Sequence, residues 1–482
     1  MFWRGVWGYL PANIVQGVVG FLAIVVFTRL LSSEDFGRYA LAFSVFSLMH
    51  VAVFTWIEAA MARFWAAEFR DAQALADHFA SLYRTAFALA VVFIPAAAIA
   101  VWLWPMDPAF RFALAAGLIG APFRCLTRLA QERYRAAGEV RRAATLDIAL
   151  AVGGLAIGVG FALGGAGGAA PLLGLGLAPL LALPFVLPRE LRFARDGRID
   201  RARLRAYALY GYPIAASLAL TLVLSSTDRF LLALFMDEAA VGAYHAAYSL
   251  ANRTLDVMFI WLGAAGGPAL VMALEQGGAG RLKIAAREQA STFILIALPA
   301  AVGLALVARP LSEFMIGQDL RGPAAQITPW IALGSLLAGC TTYYFHQAFT
   351  LGRRTELMLV VMAVPAAANV ALNVLLIPSF GVMGAAWATA ASFAIGLLAS
   401  IALGRRAAVL PIPWETLVRA GVACVFMALV VSSLPAIGGF PELILDAGVG
   451  GLTYAALALT LNAAGVRDVA LRLIAARRSL PA

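Results

Sequence analysis

The sequence predicts an all-α protein that crosses a membrane about fourteen times, and three observations predict it. Apolar residues make up 62% of the chain and charged residues 13%, where a soluble domain carries about 45–50% and about 25%. The mean hydropathy is +0.87, and a soluble fold this apolar lacks the polar surface to cover itself. The apolar stretches are continuous, as in Val18 to Phe27 and Ala86 to Ala100. A transmembrane barrel instead needs strands that alternate apolar and polar side chains, so helices are the spanning element.

A helix of about 20 apolar residues spans the hydrocarbon. Over 482 residues, fourteen helices with connectors use nearly the whole chain and leave no room for a sizeable soluble domain. The apolar runs place them at 7–31, 37–62, 82–104, 110–135, 143–164, 170–188, 207–235, 242–273, 288–309, 323–350, 355–377, 382–404, 415–435 and 442–464. The first run is too long for a cleavable signal and lacks a small-residue cleavage site, so it reads as the first helix. Cys125, Cys340 and Cys424 are scattered in apolar runs and form no CxxC; they read as small packing residues rather than as metal ligands or a disulfide framework.

The net charge of +10 would suggest nucleic acid for a soluble protein. Here the basic residues alternate between connectors, which argues for orientation and against a nucleic-acid partner. Arg4, Arg70, Arg84, Arg133 to Arg142, Arg189 to Arg205, Arg281 to Arg287, Arg353, Arg354, Arg405 to Arg419 and Arg467 to Arg478 fall on one side. Arg29, Arg38, Arg111, Arg309 and Arg321 fall on the other. The first side carries about five times as many basic residues and is expected to be cytoplasmic. Both termini then lie in the cytoplasm, which requires an even number of helices.

The most basic connector, Leu191 to Arg205, is expected to be an amphipathic segment on the anionic inner leaflet. It divides the chain into a six-helix bundle at 1–190, a linker at 191–206, a second six-helix bundle at 207–404, and a terminal helix pair with tail at 405–482. The two bundles echo each other. Gly37, Tyr39, Ala42 and Ser44 match Gly242, Tyr244, Ala247 and Ser249 in a shared GxYxxAxS at an offset of 205. Tyr134 to Gly138 and Phe349 to Gly352 form a second echo at 214. Six helices per copy makes the repeat parallel, about a pseudo-two-fold axis along the membrane normal. Two such bundles commonly enclose a central site and alternate access.

Several segments resemble bacterial polysaccharide and O-antigen flippases. These are the lipid-linked oligosaccharide flippases of the superfamily that also holds multidrug/toxin extruders and the lipid II flippase. Phe27-Thr-Arg29-Leu30-Leu31-Ser-Ser-Glu34-Asp35-Phe36-Gly37 is similar to that family's opening motif. Asp228-Arg229-Phe-Leu-Leu, then Val241-Gly242-Ala-Tyr244, resembles its next one. Ala308-Arg309-Pro310-Leu311 with Phe314 to Gly317, and Ile377-Pro378-Ser-Phe-Gly381 with Gly384-Ala385-Ala386, follow in the family's order. The resemblance implies fourteen helices with both ends inside the bacterial inner membrane. It implies a substrate, an oligosaccharide linked to undecaprenyl diphosphate, moved from the cytoplasmic to the periplasmic leaflet. The pathway would be one of surface polysaccharide: lipopolysaccharide O-antigen or exopolysaccharide. Besides substrate and bilayer, the implied partners are a polysaccharide polymerase and export proteins; no cofactor is implied.

A diphosphate in a membrane lumen must meet cations, and an ionisable residue inside a span is a functional candidate because it is costly. Arg124 and Arg128, at i and i+4 in the fourth helix, form a candidate cationic step. Arg253 and Asp256 in the eighth helix are spaced to pair, with Arg253 a substrate or gate candidate. Arg63 is placed at the cytoplasmic mouth, and Glu58 is a candidate for ion coupling or is Arg63's partner. Asp228 and Arg229 read as gating residues or a helix lock. Asn369 and Asn373, like Asn13, Gln16, His346 and Gln347, could bond sugar hydroxyls or neighbouring helices. Pro11, Pro95, Pro122, Pro213, Pro299 and Pro365 interrupt spans and permit kinks.

The chain has no GxxxxGK[ST], HExxH or GxSxG, so no ATPase or hydrolase signature is present. Two other classes remain. A cation-coupled multidrug antiporter of the same superfamily would favour buried acids, while this chain offers more intramembrane Arg than Asp or Glu. A polytopic polymerase or ligase would carry a large periplasmic loop, and every such connector here is short. A scaffold subunit without transport is the third alternative. The orientation is directly testable: a fluorescent protein fused to either end should fluoresce, and alkaline phosphatase at the same positions should be inactive.

Overall fold

The computed structural model describes residues 2–354 and 356–478; side chains at 2–8, 224, 264, 265, 356, 359 and 473–478 fall outside it. Arg4, Arg477 and Arg478 of the charge pattern therefore lie outside the described side chains. The described residues form helices and no strand. In order these are α1 (Phe2–Leu30), α2 (Ser33–Glu68), α3 (Ala72–Leu103), α4 (Pro108–Ala136), α5 (Val140–Leu163), α6 (Ala170–Ala194) and α7 (Arg201–Phe235).

The next stretch, Glu238–Leu306, has 69 residues, about 100 Å of helix at ~1.5 Å per residue against about 30 Å of hydrocarbon. It breaks at Gly277 and Gly278, the latter at φ 61°, a backbone region that glycine enters without the Cβ penalty. This gives α8 (238–276) and α9 (279–306). Glu356–Gly404 likewise breaks at Gly381, φ 56°, giving α11 (356–380) and α12 (382–404). Between them, Ala308–Met315 is a short helix and α10 (Gln318–Cys340) follows. α13 (Trp414–Ser432), α14 (Gly439–Thr460) and a tail helix, Val466–Arg478, complete the chain. The described residues thus contain fourteen long helices, in register with the apolar runs. Eleven helical stretches are long and apolar enough to span a membrane, and two of these are the glycine-broken ones.

Helix starts follow the sequence signals. Ser32 caps α2, accepting from the Asp35 amide at 3.1 Å. Asp71, Asp107 and Asp200 cap α3, α4 and α7 in the same way, and Pro108 sits in the first turn of α4, where its missing N–H costs nothing.

By contact the chain forms two units, Met1–Gly242 and Ala243–Ala482. In the first, α2 packs on α4 and α7, α4 on α6, and α6 on α5. Membrane helices associate through close packing of small residues rather than by hydrophobic contrast with lipid, and glycines supply the close approaches. A Cβ at Gly120 would stand 2.6 Å from the Gly176 Cα, and one at Gly174 would stand 2.1 Å from the Gly154 carbonyl oxygen. The α7 helix, which begins the second bundle in the sequence reading, is grouped with the first unit. Gly211 lies against the Trp56 backbone, and Tyr212 stacks on the Trp56 ring at 5.2 Å.

The connector at 191–206 differs from the expected surface helix. α6 runs to Ala194, Asp200 caps α7, and the turn between them docks on α3. The Arg198 amide donates to Asp77 at 2.8 Å, the Asp200 amide to Ser81 Oγ at 3.1 Å, and Arg203 pairs with Glu68 at 2.6 Å. His78 and the Tyr207 hydroxyl, both buried, lie 2.5 Å apart. Amphipathic charge here is spent on neighbouring helices.

A buried ionic knot closes the same end of the first unit. Glu190 is fully buried, and Arg133 grips it at two points, Nη2 to Oε1 at 2.6 Å and Nε to Oε2 at 3.2 Å. Arg133 also contacts Glu139, and its guanidinium lies 4.3 Å from the Tyr134 ring centroid. Nearby, Asp147 accepts from Gln131 at 2.5 Å and from Arg135 at 3.0 Å.

In the second unit, α10 packs on the α11–α12 pair, and Ser335 donates to Asn252 Oδ1 at 2.5 Å. The tenth helix opens into a wide turn at Thr341–Phe345, where the His346 amide reaches back five residues to the Thr341 carbonyl. Such widened turns are uncommon. Met427, Val431, Tyr454 and Ala458 of α13 and α14 pack against Leu295, Leu298 and Val302 of α9. The Arg309 guanidinium clamps Glu442 at 2.8 Å.

Two outcomes test this packing. Gly174→Leu has only backbone to push against and should lower the thermal stability of purified protein by several degrees, while Gly160→Ala, with open space at its Cβ, should leave it unchanged. Arg133→Met strands the buried Glu190 and should cost about 3–5 kcal/mol, read as a loss of monodisperse protein; Arg133→Met with Glu190→Leu should recover much of it.

Candidate functional site

The intramembrane charges of the first unit gather where α2 faces α4. One stripe of α2 is aromatic. Tyr39, Phe43, Phe46, His50 and Phe54 follow one another with ring centroids 5.8, 6.1, 6.0 and 5.7 Å apart. The stripe arises because positions three or four apart share a helix face. Beyond it lies Glu58. Its Oε1 is 3.0 Å from His50 Nε2, and both residues are buried. The bond runs lengthwise along α2 across eight residues. Between its ends the Trp56 indole N–H donates to the Val53 carbonyl at 3.0 Å.

Across from this stripe, α4 presents Arg124. Its guanidinium carbon is 6.0 Å from the Phe46 ring centroid, a cation–π distance. Its electrostatic neighbours are Arg128 and Glu58. Arg124 is half-buried, and no ion pair to it occurs among the described residues. Arg128, one turn further, reaches Glu132 at 3.9 Å, a loose contact. The i, i+4 pair thus stands together on the α2-facing side of α4, with Glu58 the acid nearest in charge to Arg124 on the opposing helix.

Other expected pairings differ. Glu58 is joined to His50, not to Arg63. Arg63 is exposed, with its guanidinium carbon 5.9 Å from the Phe64 ring centroid. Arg253 and Asp256 are both exposed, and no ion pair joins them among the described ones. Spacing allowed that contact, but exposed ends of two long side chains gain little from holding it. Asp228 and Arg229 are buried, and Arg229 Nη1 lies 3.5 Å from Ser44 Oγ. Asn373 is fully buried and donates to the backbone and side-chain oxygens of Asn369 at 2.9 and 3.0 Å. Asn13 and Gln16 are exposed on α1. Gln347 donates to the Tyr343 carbonyl at 2.5 Å, and Tyr344 to the Pro411 carbonyl at 2.7 Å.

Two residues escape a reading by spacing. His50 is two turns from Glu58, beyond the one-turn neighbour rule. Arg133 counts toward orientation by its connector, yet it is buried on an acid 57 residues away. The three cysteines are free, and no cluster of metal-ligating side chains occurs among the described residues.

Comparison with known proteins follows this geometry. The family model for polysaccharide biosynthesis proteins matches residues 26–321. No curated protein sequence matches significantly. Among solved structures, the lipid II flippase MurJ in an inward closed conformation aligns with a TM-score of 0.72 at 14% identity, covering 96% of this chain and 99% of MurJ. An inward-facing multidrug resistance MATE family transporter aligns at 0.65 and 14% identity, over 81% of this chain and 94% of its own. A MATE protein in complex with MaL6 aligns at 0.55 and 14%, over 84% and 94%. At these identities the structural likeness establishes the fold. The match over more than half of the sequence establishes the family: this chain belongs to the polysaccharide biosynthesis protein family, in a fold shared with MurJ and the MATE transporters.

Proposed function

We propose that the protein moves a polyprenyl-diphosphate-linked oligosaccharide from the cytoplasmic to the periplasmic leaflet by alternating access, for surface polysaccharide synthesis. One observation carries this reading: Arg124, half-buried within a span, sits over Phe46 with no ion pair among the described residues. A guanidinium within a bilayer demands an anion, and a diphosphate supplies one with the geometry a guanidinium prefers. Arg128 adds a second cation one turn away. Arg63, exposed on α2, is suited to a first contact. The family match to polysaccharide biosynthesis and the fold shared with a lipid-linked substrate's flippase support the same reading. The direction, the inner-membrane location and cytoplasmic termini rest on the charge asymmetry of the connectors.

A second reading draws on the buried Glu58–His50 pair: a cation-coupled exporter of multidrug type, with Glu58 carrying the coupling ion. The two readings separate in a host lacking its own copy of the gene. Arg124→Ala with Arg128→Ala should cut surface polysaccharide at least tenfold, since a charged hydrogen bond contributes about 1.5–3 kcal/mol, with membrane levels unchanged. Arg124→Lys should retain part of the activity. Full polysaccharide from the double alanine variant would overturn the flippase reading. Resistance to cationic dyes that depends on Glu58, with polysaccharide unaffected by its loss, would establish the second.

A further inference from the structure

The seam between α5 and α6 holds a furrow that the carrier reading does not use. The two helices are joined by a short glycine-rich turn and touch closely near it. Gly174 lies against the Gly154 carbonyl, and Gly158 against the Ala170 carbonyl and Pro171. Away from that end small residues give way to bulkier ones, and Pro179, Pro184 and Pro188 interrupt the hydrogen bonding of α6. There the seam opens into a cavity of about 560 Å³, in the size range of ligand sites, ~300–1,000 Å³. Leu146, Leu150 and Ile157 line one wall, and Ala182, Phe185 and Val186 the other. From Arg141 to Ile157 the wall runs about 24 Å at ~1.5 Å per residue, longer than the half-thickness of a hydrocarbon core of about 30 Å.

The mouth is basic. Arg141, Arg142 and Arg189 all line it, at the end that the connector charges assign to the cytoplasm. Arg142 is engaged by Glu139. Arg141 and Arg189 are exposed and make no ion pair among the described residues. Leu181 and Phe185, 61% and 81% exposed, leave the furrow's flank open, as a lipid-facing surface requires. An apolar furrow capped by cations on the inner leaflet suits one chain of a phospholipid with its anionic headgroup at the arginines.

We propose that the α5–α6 furrow is a binding site for an anionic phospholipid of the inner leaflet, held by Arg141 and Arg189. The site lies within the first unit and does not depend on what the protein carries. The test uses the full-length protein in detergent, titrated with phosphatidylglycerol or with phosphatidylcholine of the same chains, and lipid retention read by native mass spectrometry. Wild type should retain phosphatidylglycerol over phosphatidylcholine. Arg141→Ala with Arg189→Ala should weaken that retention by roughly five-fold per arginine removed. Arg141→Lys with Arg189→Lys should keep the preference, which separates loss of charge from loss of fold. Ala182→Trp, filling the furrow below intact arginines, should lower retention of both lipids. Equal retention of the two lipids by wild type would overturn the proposal, as would an undiminished preference in the double alanine variant. Displacement of phosphatidylglycerol by stoichiometric polyprenyl phosphate would also overturn it, assigning the furrow to the carrier lipid.

Discussion

In hydrocarbon no water remains to satisfy a stray backbone N–H or carbonyl, and this constraint organises the molecule. It makes each span a helix and forces irregular backbone to the ends. It also removes the contrast between side chain and solvent that drives soluble folding, because lipid is as apolar as leucine. What holds the helices of each unit together must then be close contact and polar attachment. The first unit uses both. Glycine against glycine joins α4 to α6 and α6 to α5, while the Arg133–Glu190–Glu139 knot and the Arg203–Glu68 pair fasten the end where the connectors are basic.

The second unit follows the same logic with different parts. Its two longest helical stretches break at Gly278 and Gly381, where the chain reverses within one or two residues. Buried hydroxyls carry much of the attachment: Tyr244 to Thr389 at 2.8 Å, Ser335 to Asn252, and Tyr454 to the Leu295 carbonyl at 2.8 Å. The terminal pair α13–α14 is bound to α9 by apolar contact and by the Arg309–Glu442 clamp. It is therefore an integral part of that unit's packing, although it lies outside the six-helix repeat that the sequence suggests.

Helix number and place were legible because hydropathy is a strong, local signal and glycine and aspartate mark the ends. The breaks at 277–278 and 381 coincide with the gaps between apolar runs. Less legible was anything that depends on a distant partner. Leu191 to Arg205 looks amphipathic, but Asp200 caps α7 and Gly197 leaves room for the Ala76 backbone, so the segment folds onto α3. Arg253 and Asp256 have the spacing of a pair without making one. Arg124 and Arg128 stand out in any apolar run; what Arg124 faces, Phe46 and Glu58, comes from another helix and has no trace in local spacing. The grouping of α7 with the first unit is of the same kind, resting on Gly211 and Tyr212 against Trp56.

The bond between His50 and Glu58 is a strut rather than a cross-brace. Most side-chain bonds in a helix bundle join neighbours and resist sliding; this one joins two levels of the same rod. A bend in α2 that lengthens the span between positions 50 and 58 must break it, and would leave a carboxyl and an imidazole without each other in a dry interior. Curvature of the helix and the proton count of the pair are thereby coupled variables: straining one shifts the other by the same free energy.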